Sequence, residues 1–289
     1  MPGEKDGRPV MNSIGWLSRQ WAENLRLHPL LKGLFIFTPG LSAFSDTPFS
    51  TVDLAADISL EALSLSLARA DLYRPFNEAF DVHRPGAAFA IRDFAAQPPS
   101  LGRIDRGLIP LLGTEACGVH LNGLVRKSEG LFLWVGRRSA DKRLDPGKLD
   151  HLVAGGMSAG LTPWQTLMKE GAEEAGLPLA LLENAEYASQ ICYTMERPEG
   201  LRRDRLFCFD LFLPEAFQPQ PIDGEVESFH LLPIEEVFTL VRDTEAFKFN
   251  VSLVLIDLFL RLELFSQDDA TTLAAALYPE PASLSPEQP

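Results

Sequence analysis

The chain has 289 residues, 46% of them hydrophobic and 23% charged, and a formal net charge of −14. That length allows two domains or one large one, and that composition can bury a substantial core. The acidic balance excludes nucleic-acid phosphate or an anionic membrane surface as the main partner, and it makes local basic clusters informative.

Residues 1–11 read as a disordered leader. Residues 12–112 read as a smaller mixed α+β unit. In it Ile14, Leu17, Trp21 and Leu25 recur at helical spacing, residues 34–37 suit a strand, and residues 60–72 suit a helix. This unit offers no catalytic constellation. His28 and His83 stand alone and read as surface or structural residues, which leaves the unit two roles, substrate recognition or homodimerisation.

Residues 113–265 form a second unit. Residues 119–125 and 131–135 read as strands joined around Ser128, Glu129 and Gly130. A glycine-rich loop and a short helix follow. Thr162 is a natural N-cap, Pro163 sits at the first helical position, and Gly176 then Pro178 mark the helix end. Residues 187–194 and 206–213 read as strands separated by a polar loop over 195–205. Residues 226–231 suit another strand, and residues 233–241 and 247–264 suit helices. Helices interspersed with strands around one sheet fit an α/β sandwich. Residues 266–289 read as an acidic tail containing Pro and Ser, with a helical stretch at 271–277. The longest apolar run, residues 251–260, is interrupted by Asp257 and too short to span a bilayer. Cys117, Cys192 and Cys208 are few, odd in number and not spaced like a zinc site, as expected of a reduced, cytoplasmic protein.

The loop and helix over 154–177 carry most of the chemical information. Glu170, Glu173 and Glu174 stand at i, i+3 and i+4, so three carboxylates share one helical face. Like charges at that spacing repel by roughly 0.2–0.5 kcal/mol per pair. A hard divalent cation reverses the sign, because Mg²⁺ takes oxygen ligands and shares them with a substrate phosphate. A solvated glutamate face is the other reading of such a triplet. The loop in front favours the metal: Gly155, Gly156 and Gly160 allow close backbone approach and deliver the chain to a helix N-terminus, where anions are stabilised.

Loop and helix together resemble the Nudix box. Gly155, Glu170, Glu173, Glu174, Gly176 and Leu177 fall on its pattern in register; Leu161, Lys169 and Gly171 depart from it where the pattern has Glu, Arg and an apolar residue. The resemblance implies a Nudix α/β/α sandwich with a mixed sheet and a Mg²⁺- or Mn²⁺-dependent cleavage of a diphosphate. It makes Glu170, Glu173 and Glu174 metal ligands, joined by the backbone carbonyl of Ala154 or Gly155. In this family a general base often lies outside the box, and Glu225 matches that position, with Glu227 as second candidate. Arg137, Arg138 and Lys148 in one basic island, and Arg203 in another, suit phosphate oxygens. Trp164, Tyr193 and Phe207 could stack on an aromatic leaving moiety or serve the core.

Further segments narrow the resemblance to the thiamine-pyrophosphokinase-like Nudix subgroup. They are residues 118–123, 134–139, 146–150, 153–156, 203–204, 207–211, 223–226 and 247–248. Members of that subgroup also depart from the box at the position of Leu161. The implied activity is hydrolysis of thiamine diphosphate, or of its oxidised analogues, to the monophosphate and phosphate. Three alternatives stand beside it: a pyrophosphatase acting on ADP-ribose or NADH, a module that binds a diphosphate without cleaving it, and an isopentenyl-diphosphate-type isomerase. The isomerase would need a Cys–Glu pair whose local pattern Cys117 and Cys192 lack.

Overall fold

The computed structural model describes residues 14–39, 49–55, 58–142 and 144–279. The leader at 1–11 and the end of the tail lie outside these residues. The chain divides into two compact units. The first comprises Met1–Ala116, Ser158–Leu161 and Tyr193–Asp204, and the second comprises the remainder.

In the first unit α1 (Arg19–Leu27) starts where Ser18 accepts a hydrogen bond from the Trp21 N–H, so Ile14 and Leu17 precede the helix rather than extend it. The strands β1 (Phe35–Pro39) and β2 (Phe49–Leu54) pair antiparallel. The helix α2 (Leu60–Arg69), capped by Ser59, buries Leu60, Leu63 and Leu67. The strands β3 (Ala79–Val82) and β4 (Gly102–Asp105) form an antiparallel ribbon with Asp81 opposite Arg103. The short α3 (Ile109–Leu112) ends at Gly113, whose left-handed φ of 57° and close approach to the Trp16 carbonyl exclude a side chain. Leu25, Leu31, Leu63, Leu67, Phe80, Ile104 and Leu108 make this unit's core.

The second unit is built on a seven-stranded sheet. The strands β5 (Glu115–Lys127) and β6 (Gly130–Arg138) form the expected hairpin, with Lys127 opposite Gly130. The short β7 (Leu149–Asp150) pairs with β6, and β8 (Val153–Gly156) pairs with β5. Ala154, Gly155 and Gly156 therefore belong to a strand, not to the loop expected from their glycines. After α4 (Pro163–Ala175) and α5 (Leu179–Leu182) come β9 (Glu186–Arg197), β10 (Gly200–Phe212) and β11 (Val226–Pro233). The strand order is β11-β6-β5-β10-β9. The β10 strand runs in the same direction as β5. Arg203 reaches the Gly113 carbonyl near their starts, and the Leu213 N–H donates to the Leu124 carbonyl near their ends. The sheet is thus mixed.

The polar loop expected over 195–205 is instead the turn and flanking strand ends of the β9–β10 hairpin. Its charges satisfy one another on the strands: Arg202 pairs with Asp204 at 2.8 Å, and the Tyr193 hydroxyl donates to the same carboxylate. Such pairing stabilises a strand whose composition reads as loop.

The helices α6 (Ile234–Asp243) and α7 (Phe249–Arg261) cover one face of the sheet, where Leu124, Leu133 and Val135 join Ile234, Val237, Val251, Leu255 and Phe259 in one core. The helix α4 lies on the other face. Adjacent residues of β10 record the two sides, as Asp210 is ion-paired to Arg261 of α7 while Phe209 meets the Trp164 ring of α4 at 6.1 Å. Within the segment read as tail, α8 (Gln267–Leu277) is a full helix capped by Ser266. It is held at its end by buried Leu277 and by the Tyr278 hydroxyl, which donates to buried Asp257. Among the described residues no helix is long and apolar enough to cross a membrane.

Candidate active site

The carboxylate helix is fixed at both ends by local chemistry. Thr162 and Gln165 form a reciprocal capping box, each side chain accepting from the other's backbone N–H at 3.0 Å, and Gly176 closes the helix at φ 62°. Its three glutamates then meet different fates. Glu174 is buried and accepts a hydrogen bond from the Ala154 N–H at 2.9 Å. Glu170 lies against Gly155, where an added Cβ would stand 2.3 Å from the Glu170 Cγ. Glu173 keeps 55% of its side chain exposed. Lys169 bridges Glu170 and Glu173 at 2.8 and 2.9 Å. Burial works against the lysine's charge, but the two carboxylates override it and raise its pKa. Gly171 has a packing reason: Leu182 of α5 comes within 2.7 Å of where its Cβ would be, filling the space a larger residue would need.

A second limb converges on Glu174. Oxygens of Glu174, Asp223 and Glu225 lie within 4.8 Å of one another. Asp223 turns back to accept the Glu225 N–H at 2.8 Å, and Glu225 is ion-paired to Lys142. Val226 pairs with Arg138 and Ser228 with Arg137, so Glu227 is left as a bulge residue, exposed and without a strand partner. Arg138, Lys142, Asp150, His151, Ala154, Glu174, Glu225 and Val226 enclose a recess of about 10 Å³, room for roughly one small ion or water. Burial and the neighbouring charges of Asp150, Glu170 and Glu225 push the Glu174 pKa well up, while the Ala154 N–H holds it down less strongly. A buried carboxylate facing other carboxylates is what a cation would relieve, and this donor set fits a hard divalent ion.

The basic island does not act as one. Strand alternation sends Arg137 and Arg138 to opposite faces of the sheet. Arg138 lines the carboxylate recess, but its guanidinium is committed to Asp150 at 2.6 Å and to the carbonyls of Leu144 and Asp145. Arg137 and Lys148 instead line an open cleft of about 530 Å³ with His230, Glu236 and Glu245, floored by Val135, Leu232 and Leu240 on the α6 face. In the first unit, Arg203 stacks over the Trp16 ring at 3.8 Å and Tyr193 is bonded to Asp204. Trp164 packs against Phe209, and Phe207 is fully buried in the core.

Sequence reasoning missed the buried pair beside this recess. His120 and His151 share a 2.9 Å hydrogen bond between their Nδ1 atoms, and the Asn250 amide contacts the far nitrogen of His120 at 3.4 Å. His151 Nε2 is buried with no hydrogen-bond partner among the described residues. Burial lowers the His151 pKa to about 4 and that of His120 well below its ordinary value. Next to them, burial alone would raise Asp150, but the charges of Lys248, His120 and Arg138 hold it at about 2. The sequence signal was Asp150-His151 just ahead of the glycines, but its partner His120 stands 31 residues earlier.

Comparison with known proteins gives the family. A NUDIX domain model matches residues 119–252. An uncharacterized Nudix hydrolase of Rhodococcus erythropolis, orf19, is 30% identical over 150 residues, covering 49% of this chain and 77% of that protein. The chain belongs to the Nudix family. Nudix hydrolase 20, chloroplastic, of Arabidopsis thaliana is 42% identical over 163 residues, which cover 56% of this chain and 44% of that one. The chain spans about half the length of such curated relatives. Among solved structures, the Deinococcus radiodurans protein DR0079 is 21% identical with a TM-score of 0.45, covering 62% of this chain and 97% of its own. Glu170, Glu173 and Glu174, and with them Asp223 and Glu225, all fall inside the matched residues 119–252.

Proposed function

We propose that this chain is a divalent-cation-dependent Nudix hydrolase that cleaves the diphosphate linkage of thiamine diphosphate or its oxidised analogues, giving the monophosphate and phosphate. The observation that carries the hydrolytic reading is the convergence of Glu174 with Asp223 and Glu225 beside the remaining box carboxylates. Glu170, Glu173 and Glu174, with the Ala154 or Gly155 carbonyl, would hold Mg²⁺ or Mn²⁺. Such a cation neutralises the charge that builds on a diphosphate under attack and acidifies a bound water.

The chain's own residues do the rest. The Ala154 N–H fixes the Glu174 carboxylate, and Lys169 holds Glu170 and Glu173 in one orientation. Glu225, on the exposed side of the recess and steadied by Lys142, accepts the proton of the attacking water. The new P–O bond forms as the bond to the bridging oxygen breaks. One phosphoryl group leaves as phosphate and the organic monophosphate keeps the bridging oxygen. The thiamine assignment rests on the flanking segments quoted from the sequence, above all residues 118–123, 146–150 and 207–211.

The test is phosphate release with Mg²⁺ and Mn²⁺ from thiamine diphosphate, its oxidised analogues, ADP-ribose, NADH, nucleoside diphosphates and isopentenyl diphosphate. Preference for the thiamine compounds, lost in Glu173→Gln, supports both chemistry and substrate. Turnover of ADP-ribose or NADH instead keeps the chemistry and removes the thiamine reading. Silence across the panel, with a diphosphate still bound, replaces hydrolysis by a binding role.

A further inference from the structure

The three residues that lead into the carboxylate helix are held by the N-terminal part of the chain, although they lie in the middle of the Nudix sequence. Ser158–Leu161 group with the first unit, whereas β8 before them and α4 after them group with the second. Each of three consecutive residues makes one bond to the start of β3. The Ser158 hydroxyl donates to Glu78 at 2.8 Å, the Ala159 N–H to the Ala79 carbonyl at 2.8 Å, and the Gly160 N–H to Asp81 at 2.6 Å.

The acceptors are themselves braced. Asp81 also accepts from Ser100 at 2.9 Å and from Arg103 at 3.1 Å, and Glu78 is paired with Arg106 at 2.9 Å. Gly160 stands at φ 81°, a conformation in which a side chain would be strained, with Arg103 the nearest atom to a hypothetical Cβ at 3.7 Å. The loop then closes on itself, the Leu161 N–H donating to the Ser158 carbonyl, and passes directly into the Thr162 cap.

We infer that Glu78 and Asp81 are positioning residues for the loop over 158–161, whose release would loosen the Thr162 cap and the first turn of the box helix that the loop runs into. The inference rests on the hydrolytic reading for its effect on turnover but not for its effect on the loop. Two covalent steps separate Gly160 from the helix cap, too few for slack. A loop released from Asp81 lets the first turn of α4 fray and shifts the carboxylates that depend on it.

The experiment uses the full chain. Asp81→Ala removes the Gly160 acceptor. Asp81→Asn keeps an acceptor oxygen for Gly160, since the Ser100 hydroxyl can turn and half-exposed Arg103 can move into solvent. Hydrogen exchange over residues 158–168, Mn²⁺ titration, and kcat and KM for the substrate found in the panel are read in parallel. In Asp81→Ala, exchange over 158–168 accelerates about tenfold or more while α7 is unchanged. The Mn²⁺ half-saturation point rises, and kcat falls about ten- to a hundredfold with KM little changed. Asp81→Asn stays near the parent in all three. Unchanged exchange in Asp81→Ala, or faster exchange with parental Mn²⁺ binding and kcat, overturns the inference. If Asp81→Ala does not fold, Ser158→Ala and Glu78→Ala, which each remove the bond between those two residues, are read the same way with smaller steps. If the parent hydrolyses nothing in the panel, the hydrolytic reading fails alone, and exchange with Mn²⁺ binding still decides the loop's role.

Discussion

Gly155→Ala should separate catalysis from folding at one atom. Gly155 lies in β8 with no left-handed φ, so alanine fits the backbone there. Its methyl would stand 2.3 Å from the Glu170 Cγ, 2.4 Å from Cδ and 2.6 Å from Oε2, where ordinary contact begins at 3.4 Å. The carboxylate must therefore move by about 1 Å. The three nearest atoms all belong to the Glu170 side chain, so the clash is relieved by rotating Glu170 away. Overpacking at about 1–3 kcal/mol is partly offset by the 0.4–1 kcal/mol that glycine-to-alanine changes typically contribute, which leaves a net cost of roughly 0–2.6 kcal/mol and a modest drop in melting point. The rate is more sensitive. A misplacement of about 1 Å costs on the order of 100-fold, or roughly 2.7 kcal/mol of transition-state stabilisation. Phosphate release, a Mn²⁺ titration and a thermal melt on the same preparation check this. Turnover within about threefold of the parent, with no more than that drop in the melt, would show that Glu170 needs no such placement.

Three further outcomes follow from the same geometry. Glu173→Gln, half-exposed, should leave circular dichroism and the melt unchanged while phosphate release falls on the order of a thousandfold, the scale of losing several kcal/mol at a metal ligand. Glu225→Gln should lower kcat by about 100-fold, whereas Glu227→Gln, on the exposed bulge, should stay within about twofold; the reverse ranking in kcat would move the base. The His151 pKa is depressed from 6.5 to about 4, so below pH 6.5 the unfolded chain binds a proton that the folded chain refuses. Stability is then fully present above pH 6.5 and is lost as pH falls toward 4, by about 3 kcal/mol in all. Glu174, with its raised pKa, works in the opposite direction, so the comparison is urea unfolding of Glu174→Gln with and without His151→Gln, and equal pH slopes in the two would refute the histidine's part.

The carboxylate helix was legible because everything that defines it is local. The Thr162 cap, Pro163, Gly176 and the spacing of the glutamates act within one or two turns, so the sequence alone placed them correctly. Glu225 was found by resemblance, and the structure brings it to Glu174. Alternation along β6 was also written in the sequence, yet reading residues 137–148 as one charged island hid that Arg137 and Arg138 face opposite ways. Residues 195–205 looked like a loop because Asp204 is satisfied by Arg202 along β10 and by Tyr193 across on β9, which composition does not show. The His120–His151 bond joins β5 to the connection between β7 and β8, 31 residues on, and no local pattern announces it.

Of the three departures from the box, those at Leu161 and Gly171 have different physical meanings. At Gly171 the missing side chain is replaced from outside, since Leu182 occupies its volume, and the helix loses no burial. At Leu161 what is missing is charge. An acid there with an arginine at Lys169 would tie loop to helix by an ion pair. Here Lys169 spends its charge on Glu170 and Glu173 instead. The loop is tied elsewhere, by the hydrogen bonds of Ser158, Ala159 and Gly160 to Glu78, Ala79 and Asp81. A buried or half-buried charge-assisted bond from a backbone N–H, as Gly160 makes to Asp81, holds at least as well as an exposed ion pair worth about 0–1 kcal/mol. The loss at Leu161 is thus set beside three bonds that the same loop makes within its own unit.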